Sequence, residues 1–204
     1  MYLVIEGQDA TGKSTQVEML ADFFRQQNRP VITLHEPDGD LPQAHQIRDL
    51  VKTKSYQLEP ITHVILFTAA RLELWHKLAV PILKQDGVVI SARNWWSTLA
   101  YQGYGQGVSR RRITTITKST MPKEYYQPTH SVILTLDDQT RLARQTTRDN
   151  LSATDTFESQ PDSFQQKVNH AYLKIAEEFH IPTLDASPAP DVIQQQILRL
   201  FDLI

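Results

Sequence analysis

The first fifteen residues join a short apolar run to a glycine-rich loop, and this combination constrains the fold more than any other stretch. The run spans residues 2–6, and the loop at residues 7–15 reads Gly-Gln-Asp-Ala-Thr-Gly-Lys-Ser-Thr. Glycines in this pattern let backbone amides wrap a polyphosphate, because no Cβ obstructs them. Apolar residues at helical spacing follow, which gives the strand, loop and helix that the motif requires. The stretch predicts a site for a nucleoside triphosphate.

Residues of the loop have separate roles in this interpretation. Lys13 supplies a mobile positive charge to the β- and γ-phosphates, and Ser14 offers its hydroxyl to Mg²⁺ as the metal ligand. The amides at the start of the next helix add the positive end of its dipole. The residues expected around the phosphates are Gly7, Gln8, Asp9, Ala10, Thr11, Gly12, Lys13, Ser14 and Thr15. A glycine turn with an incidental lysine is the alternative.

Composition excludes several classes of function. The chain has 204 residues, enough for one domain with a sizeable core, and without cysteine it can form neither disulfides nor a thiolate metal site. Its net charge of −2 argues against a nucleic-acid surface. No leader precedes the first strand, and no apolar run approaches a membrane span. We expect a cytoplasmic protein with neither nucleic acid nor a membrane as its partner.

Apolar runs and helical periodicities alternate along the rest of the chain. Further buried strands are predicted at residues 31–34, 88–90, 131–136 and 181–184, with helices between them. This alternation predicts an α/β fold, a doubly wound five-stranded parallel sheet flanked by helices, in a single domain over residues 1–204. Ligands of such sheets lie at the carboxyl ends of the strands.

Three segments are predicted to interrupt the regular elements. Residues 95–107 begin helically, but the glycines from Gly103 onward indicate a mobile loop. Residues 149–160 are polar and weakly patterned between helices, as in a lid that closes over substrate. Pro81 is expected to break or restart the long helix that begins at Pro60.

Sequence runs beyond the loop share their order and spacing with one family. They are Glu36-Pro37, Leu66-Phe67-Thr-Ala-Ala-Arg71, Ser97-Thr-Leu-Ala-Tyr101-Gln102-Gly103 and the lid-like Asp155-Thr-Phe-Glu158. With them the whole chain resembles the thymidylate kinases, P-loop enzymes of the nucleoside monophosphate kinase type. The resemblance implies phosphorylation of dTMP to dTDP with ATP and Mg²⁺ as cofactors. It also implies a homodimer through helices beside the sheet.

The resemblance assigns roles to matching residues. Phe67 would stack on the thymine ring, Arg71 would bond its exocyclic oxygen, and Arg93 would hold the acceptor phosphate. The residues implied to bind the acceptor are Asp9, Glu36, Phe67, Arg71, Arg93, Ser97, Tyr101 and Gln102. Without the family, Phe67 is better explained as a core residue, and a solvated helix charge is the alternative for Arg71.

Arginines near the lid are candidates for contacting the transferring phosphoryl group. Some family members carry a loop arginine where this chain has Ala10, and members without it use arginines from the lid. Arg148 is the first candidate and Arg144 the second, beside Lys13 and Arg93 as catalytic residues. A solvated helix face is the alternative for both.

The chain departs from the family pattern near the acceptor. Ala92 stands where an aspartate is usual, and His35 replaces an arginine that could make a forked phosphate contact. Asp38 and Asp40 add negative charge where an anionic acceptor would approach. Two alternatives follow: a catalytically impaired nucleotide-binding paralogue, or a kinase for a different nucleoside monophosphate.

Trp95 and Trp96 add bulk where the family has smaller or polar residues. The bulk is compatible with a different acceptor, and equally with ordinary packing.

Overall fold

The computed structural model describes residues 1–149, 157 and 160–204, with the side chains of all of these except 52, 54 and 147–149. The predicted lid at 149–160 therefore falls almost entirely outside the described residues. The side chain of Arg148 falls outside them too.

Five parallel strands form one sheet, as the sequence predicts, and the structure gives their order as β2-β3-β1-β4-β5. The strands are β1 (Tyr2–Gly7), β2 (Val31–His35), β3 (Val88–Ala92), β4 (His130–Thr135) and β5 (Thr183–Asp185). The last strand begins two residues later than predicted, because Pro182 has no N–H to donate to a ladder. Its carbonyl still accepts from the Ile133 N–H at 2.9 Å.

Helices cover both faces of the sheet. They are α1 (Lys13–Arg25), α2 (Pro42–Lys52), α3 (Pro60–Leu74), α4 (Val80–Leu83), α5 (Trp95–Thr98), α6 (Arg110–Thr120), α7 (Lys123–Tyr126), α8 (Asp138–Asp149), α9 (Asp162–Phe179) and α10 (Pro190–Leu200). None of the described helices is long and apolar enough to cross a membrane.

The central strand β1 shows how the sheet separates two cores. Tyr2 and Val4 pack into one cluster with α3, α5 and α9, whereas Leu3 and Ile5 pack into the other with α1 and α10. Side chains alternate between the faces of a strand, so a run that is apolar on both faces must be covered on both. The loop after β1 therefore leaves the middle of the sheet, where β3 and β4 flank it.

Pro81 does not break its helix. A π-helical segment, Trp75–Ala79, joins α3 to α4, and the Val80 N–H donates to the oxygen of Trp75. This wider turn accommodates a residue that cannot donate to the carbonyl four positions earlier. Where a break was expected, the helix continues and only widens locally.

The prediction of a mobile loop within residues 95–107 is wrong. A π-helical segment, Leu99–Gly105, continues α5, and the residues from Leu99 to Gly103 are buried. The glycines permit close packing: a Cβ at Gly105 would lie 2.6 Å from Phe164 Cε2 on α9. Gly107, with φ +79°, follows the end of the segment.

Candidate active site

The glycine-rich loop has the backbone that a phosphate cradle needs. Gly7 has φ +139°, and a Cβ there would lie 2.4 Å from the oxygen of Leu134. Gly12 has φ +83° and faces open space, with nothing within 4 Å of an added Cβ. The helix α1 starts directly afterwards, so its first N–H groups point into the concavity. Lys13 donates from Nζ to the oxygen of Gln8 at 2.7 Å, folded over the loop.

A pocket with about 1080 Å³ of empty volume lies over this loop. Its lining consists of Asp9, Ala10, Gly12, Lys13, Ser14, Thr15, His35, Glu36, Asp38, Arg48, Ala92, Arg93 and Arg144. Six of the nine loop residues predicted to bind phosphate are in this lining. Gly7, Gln8 and Thr11 are not; the Gln8 amide turns towards α9, and the Thr11 hydroxyl donates to the Gln8 oxygen at 2.8 Å.

A second pocket, with about 690 Å³ of empty volume, adjoins the first. Its lining consists of Asp9, Glu36, Pro37, Arg48, Val51, Phe67, Arg71, Arg93, Ser97, Thr98, Tyr101, Gln102 and Phe157. All eight residues predicted to bind the acceptor are among them. The pockets share Asp9, Glu36, Arg48 and Arg93. Sequence reasoning missed Arg48, which gave no signal beyond being a charged residue on α2.

Arg93 stands at the border of the two pockets. It adopts φ 73° just after β3, and its guanidinium forms an ion pair with the Asp9 carboxylate. The same guanidinium donates to the Tyr172 hydroxyl at 3.1 Å, and the Tyr101 hydroxyl donates to Asp9 Oδ2 at 2.8 Å. A positive φ is costly for a side chain other than glycine, so the surrounding bonds must hold it. They aim a cation and a carboxylate at the boundary between the pockets.

Glu6 is a buried anchor beneath this border that sequence reasoning missed. It lies in β1, and its carboxylate accepts from the Gly7, Asn94 and Ser97 N–H groups at 2.8–3.2 Å. The Ser97 hydroxyl also bonds it, at 2.9 Å to Oε2. Backbone N–H groups donate to the Glu6 carboxylate in the way that water would at the surface. The bonds fix the start of the phosphate loop to the turn that carries Arg93.

The acceptor pocket rests on a second buried carboxylate, Glu36. Arg71 donates to it from Nε at 3.1 Å, and the Tyr125 hydroxyl donates at 2.6 Å. Burial raises the pKa of Glu36 to about 7, although Arg71 and the hydrogen bonds from Tyr125 and Ser91 each oppose the rise. Arg71 also donates to the Thr98 hydroxyl at 2.8 Å. It is therefore a buried, fixed group and not a solvated helix charge.

Phe67 forms one wall of this pocket and is only half-buried. The Arg71 guanidinium carbon lies 5.8 Å from its ring centroid, and the ring of Phe157 lies 6.1 Å away. A flat apolar ring beside a guanidinium suits the face and the carbonyl edge of a base.

Known proteins resemble this chain along almost its whole length. The family model described as thymidylate kinase matches residues 5–197. A thymidylate kinase of Chlorobium chlorochromatii is 33% identical and covers 97% of this chain and 92% of that protein. The chain belongs to the thymidylate kinase family. A thymidylate kinase of Chlorobaculum parvum is 34% identical, again over 97% of this chain and 94% of that protein.

A solved structure agrees on the fold. The crystal structure of thymidylate kinase from Ehrlichia chaffeensis superposes with a TM-score of 0.76 at 23% identity, covering 98% of this chain and 97% of that one. The predicted fold, a P-loop nucleoside monophosphate kinase type, is confirmed. Membership of the thymidylate kinase family makes the protein a phosphotransferase.

The departures from the thymidylate kinase pattern lie at the carboxyl ends of β2 and β3. Ala92 and His35 both line the pocket over the phosphate loop. His35 is exposed, with Nε2 3.8 Å from Glu18 Oε1. Asp38 lies 2.8 Å from His45 and 3.1 Å from Arg48. The negative charge of Asp38 is therefore paired with a cation.

Trp95 and Trp96, whose bulk is compatible from sequence with either packing or a different acceptor, are packing residues. Both are buried, and their rings lie 5.3 and 6.0 Å from Phe179 on α9. Neither of them lines the pocket over the phosphate loop or the acceptor pocket.

Of the two arginines predicted near the lid, Arg144 lines the pocket over the phosphate loop. It donates from NH2 to the oxygen of Ser187 at 3.3 Å. The side chain of Arg148 is outside the described set, so its role stays a prediction.

Proposed function

We propose that the chain transfers the γ-phosphoryl group of ATP to dTMP, giving dTDP and ADP. The observation that carries this proposal is that the two pockets meet at Arg93 and Asp9. One pocket has a phosphate loop with a lysine as its floor, and the other has an aromatic wall with a buried arginine. A triphosphate in the first pocket and a nucleoside monophosphate in the second would direct their phosphates at each other.

The donor phosphates would lie on the first N–H groups of α1. Lys13 would leave the Gln8 oxygen to bond the β- and γ-phosphates, which concentrate more negative charge than a carbonyl. Arg144 lines the same pocket, and its guanidinium would stabilise the charge that develops on the transferring group.

The residues present fit Mg²⁺ that arrives with ATP. Among the described residues no three histidines or carboxylates gather into a metal site. Ser14 offers one hydroxyl in the pocket, and Mg²⁺ in kinases is held mainly by substrate phosphates and water. When bound, the ion would neutralise part of the negative charge of the phosphates.

The base of the acceptor would lie against the Phe67 ring with its exocyclic oxygen at Arg71, and the acceptor phosphate would lie at Arg93 and Arg48. An acceptor phosphate oxygen attacks the γ-phosphorus as the bond to the β–γ bridging oxygen breaks, and ADP leaves with that oxygen. The described residues hold and orient both phosphates, so the transfer needs no protein nucleophile. Val51, Phe67 and Phe157 give the base end apolar surface, which suits the methyl group of thymine.

The test is a coupled assay of ADP release with dTMP, dUMP, dGMP and dCMP, comparing the wild type with Lys13→Ala. We expect the highest kcat/KM with dTMP, and a loss of about a thousandfold in kcat for Lys13→Ala. Turnover no faster than that of the lysine variant with any acceptor would reject the proposal. That result would indicate a protein that binds nucleotides but does not catalyse the transfer.

We also propose that the chain forms a homodimer through α3. Ile65 lies in the middle of that helix with 53% of its surface exposed, and partly buried Ile61 and Leu72 share its face. Light scattering after size exclusion should give twice the mass of the chain. Ile65→Asp should halve it, whereas Leu173→Asp, at an equally exposed position on α9, should leave it unchanged. A monomeric wild type would contradict this proposal.

A further inference from the structure

Buried amide hydrogen bonds join the phosphate loop to the wall of the acceptor pocket. Gln8 donates from Nε2 to the backbone oxygen of Gln165 at 3.0 Å and to its Oε1 at 3.1 Å. Gln165, on α9, donates from its own Nε2 to the backbone oxygen of Phe157 at 2.8 Å. Both glutamines are at most 4% exposed. The resemblance assigned no role to Gln165, and to Gln8 only that of a loop residue.

The orientation of both amides follows from their partners. A backbone oxygen can only accept, so Gln8 must turn its nitrogen towards Gln165, and Gln165 must turn its nitrogen towards Phe157. The Gln165 Oε1 then faces Gln8 and accepts from it. Donation therefore runs in one direction, from the loop through α9 to Phe157, and neither amide can be flipped without losing bonds.

Phe157 stands among the groups proposed to bind the base. Its ring centroid lies 6.1 Å from that of Phe67 and 6.0 Å from that of Tyr101. The position of its backbone therefore sets the width of the aromatic end of the acceptor pocket.

The other end of the chain of bonds lies under the donor phosphates. The backbone oxygen of Gln8 accepts from Lys13 Nζ at 2.7 Å. A triphosphate that draws Lys13 towards itself removes a charged donor from this carbonyl. Gln8, which bonds Gln165, then lacks the hydrogen bond from Lys13 to its backbone oxygen.

We propose that Gln165 is a positioning residue that couples the pocket over the phosphate loop to the acceptor pocket, through Gln8 on one side and Phe157 on the other. The inference rests on the proposed function, because it takes a triphosphate and dTMP as the two ligands. Coupling between two sites is reciprocal: if the triphosphate tightens dTMP binding by a factor, dTMP tightens triphosphate binding by the same factor. Gln165 transmits that factor while touching neither ligand.

The experiment measures the dTMP dissociation constant by calorimetry, with and without saturating Mg²⁺ and the non-hydrolysable analogue β,γ-imido-ATP. For the wild type we expect the analogue to tighten dTMP binding about fivefold or more. Gln165→Leu keeps the size of the side chain but none of its hydrogen bonds. We expect it to weaken dTMP binding about three- to tenfold, as the loss of a hydrogen bond does, and to bring the coupling factor close to one.

Gln166→Leu is the matched control, because Gln166 is the next residue of α9 and is exposed. It should retain the wild-type affinity and coupling. Affinity for the analogue alone should stay unchanged in both variants, and Gln165→Leu should raise the KM for dTMP with little change in kcat. A merely destabilised fold would lower the active fraction and kcat instead.

A second variant, Gln8→Leu, breaks the same chain of bonds from the loop side. The double variant should lose no more coupling than either single one, since the residues act in series. If wild type binds dTMP and Gln165→Leu retains the wild-type coupling, this inference is overturned and the proposed function stands. If the wild type does not bind dTMP, the proposed function fails and the inference with it.

Discussion

The Nε of Arg71 lies 3.1 Å from Oε2 of Glu36, and neither side chain is more than 3% exposed. The pair joins α3 to the turn after β2 beneath the acceptor pocket. Tyr125 and Ser91 donate to the same carboxylate from α7 and β3. A buried charge held by several donors fixes its partner well as long as it remains ionised, so the protonation of Glu36 controls how firmly Arg71 is held.

Removing the Tyr125 hydroxyl should raise the pKa of Glu36 above its value of about 7. The hydroxyl donates to the ionised carboxylate and favours it, so Tyr125→Phe should shift the pKa upward by about half a unit to one unit. A ¹³C NMR titration of the Glu36 carboxyl measures the shift. Tyr126→Phe changes the neighbouring ring and should leave this pKa alone; equal shifts in the two variants would contradict the assignment.

The pKa of Glu36 also predicts a pH dependence of stability. Its pKa is raised from 4.5 in the unfolded chain to about 7 in the folded one, so the native state binds this proton more tightly. The stabilisation is fully present below pH 4.5 and is lost as pH rises through 7. Its size is on the order of 3 kcal/mol.

The comparison is between wild type and Glu36→Gln in urea denaturation at pH 5 and pH 8. The free energy of unfolding of the wild type minus that of the variant should be smaller at pH 8 than at pH 5. Glu59→Gln, which removes an exposed charge, serves as the control. A difference between wild type and Glu36→Gln that stays constant with pH would refute the raised pKa.

Arg144→Ala should lower kcat about a hundredfold, with at most a small change in the KM for dTMP. The side chain lines the pocket over the phosphate loop but not the acceptor pocket, so its loss removes charge stabilisation during transfer. Steady-state kinetics with dTMP varied at saturating ATP gives both constants. The exposed Arg112 on α6 supplies the control variant Arg112→Ala, and equal kinetics in the two variants would exclude Arg144 from the site.

Ala92→Asp should lower the Mg²⁺ concentration that gives half-maximal activity by about fivefold, because a carboxylate attracts the ion and its waters. Ala92 lines the pocket that contains Ser14, at the end of β3. Ala92→Asn has nearly the same shape without the charge, and it should not show the effect. The same Mg²⁺ dependence in both variants would mean that no carboxylate is needed here.

Gly105→Ala should destabilise the fold by about 1–2 kcal/mol more than Gly103→Ala. The added methyl group would lie 2.6 Å from the Phe164 ring, whereas at Gly103 the nearest atom is Ile113 Cδ1 at 3.3 Å. Both positions gain similar helix propensity, so their difference isolates the contact. Urea denaturation measures it, and equal stabilities would show that the Phe164 ring moves away without cost.

Local sequence patterns were sufficient to predict the strands and the phosphate loop. The strands β1 and β3 are buried on both faces, so each one appears as a largely apolar run, and the loop motif fixes its own position between strand and helix. Gly103 and Gly105 misled because the pattern of a loop and that of a tightly packed helix both contain glycine. Only the position of α9 against the segment distinguishes them, and no local pattern encodes that position.

The site could be predicted as far as its residues follow family motifs. Glu6 was missed because a carboxylate in a buried strand carries no motif, and its donors come from the turn after β3. No role was predicted for Tyr172 or Gln165, because they approach from α9: Tyr172 lies 79 residues along the chain from Arg93, and Gln165 lies 157 residues from Gln8. Contacts between distant elements depend on packing, which periodicity does not specify.

The order of the strands has a consequence for synthesis. Every residue predicted to hold the acceptor lies between Asp9 and Gln102, but β1 pairs with β4 along its other edge, and β4 begins at His130. A nascent chain therefore carries the complete set of acceptor residues while the strand that bears the phosphate loop still has an open edge. Such an edge invites pairing with other chains. Until β4 is synthesised, the segment that carries the predicted acceptor residues therefore also exposes an unpaired strand edge that can pair with other chains.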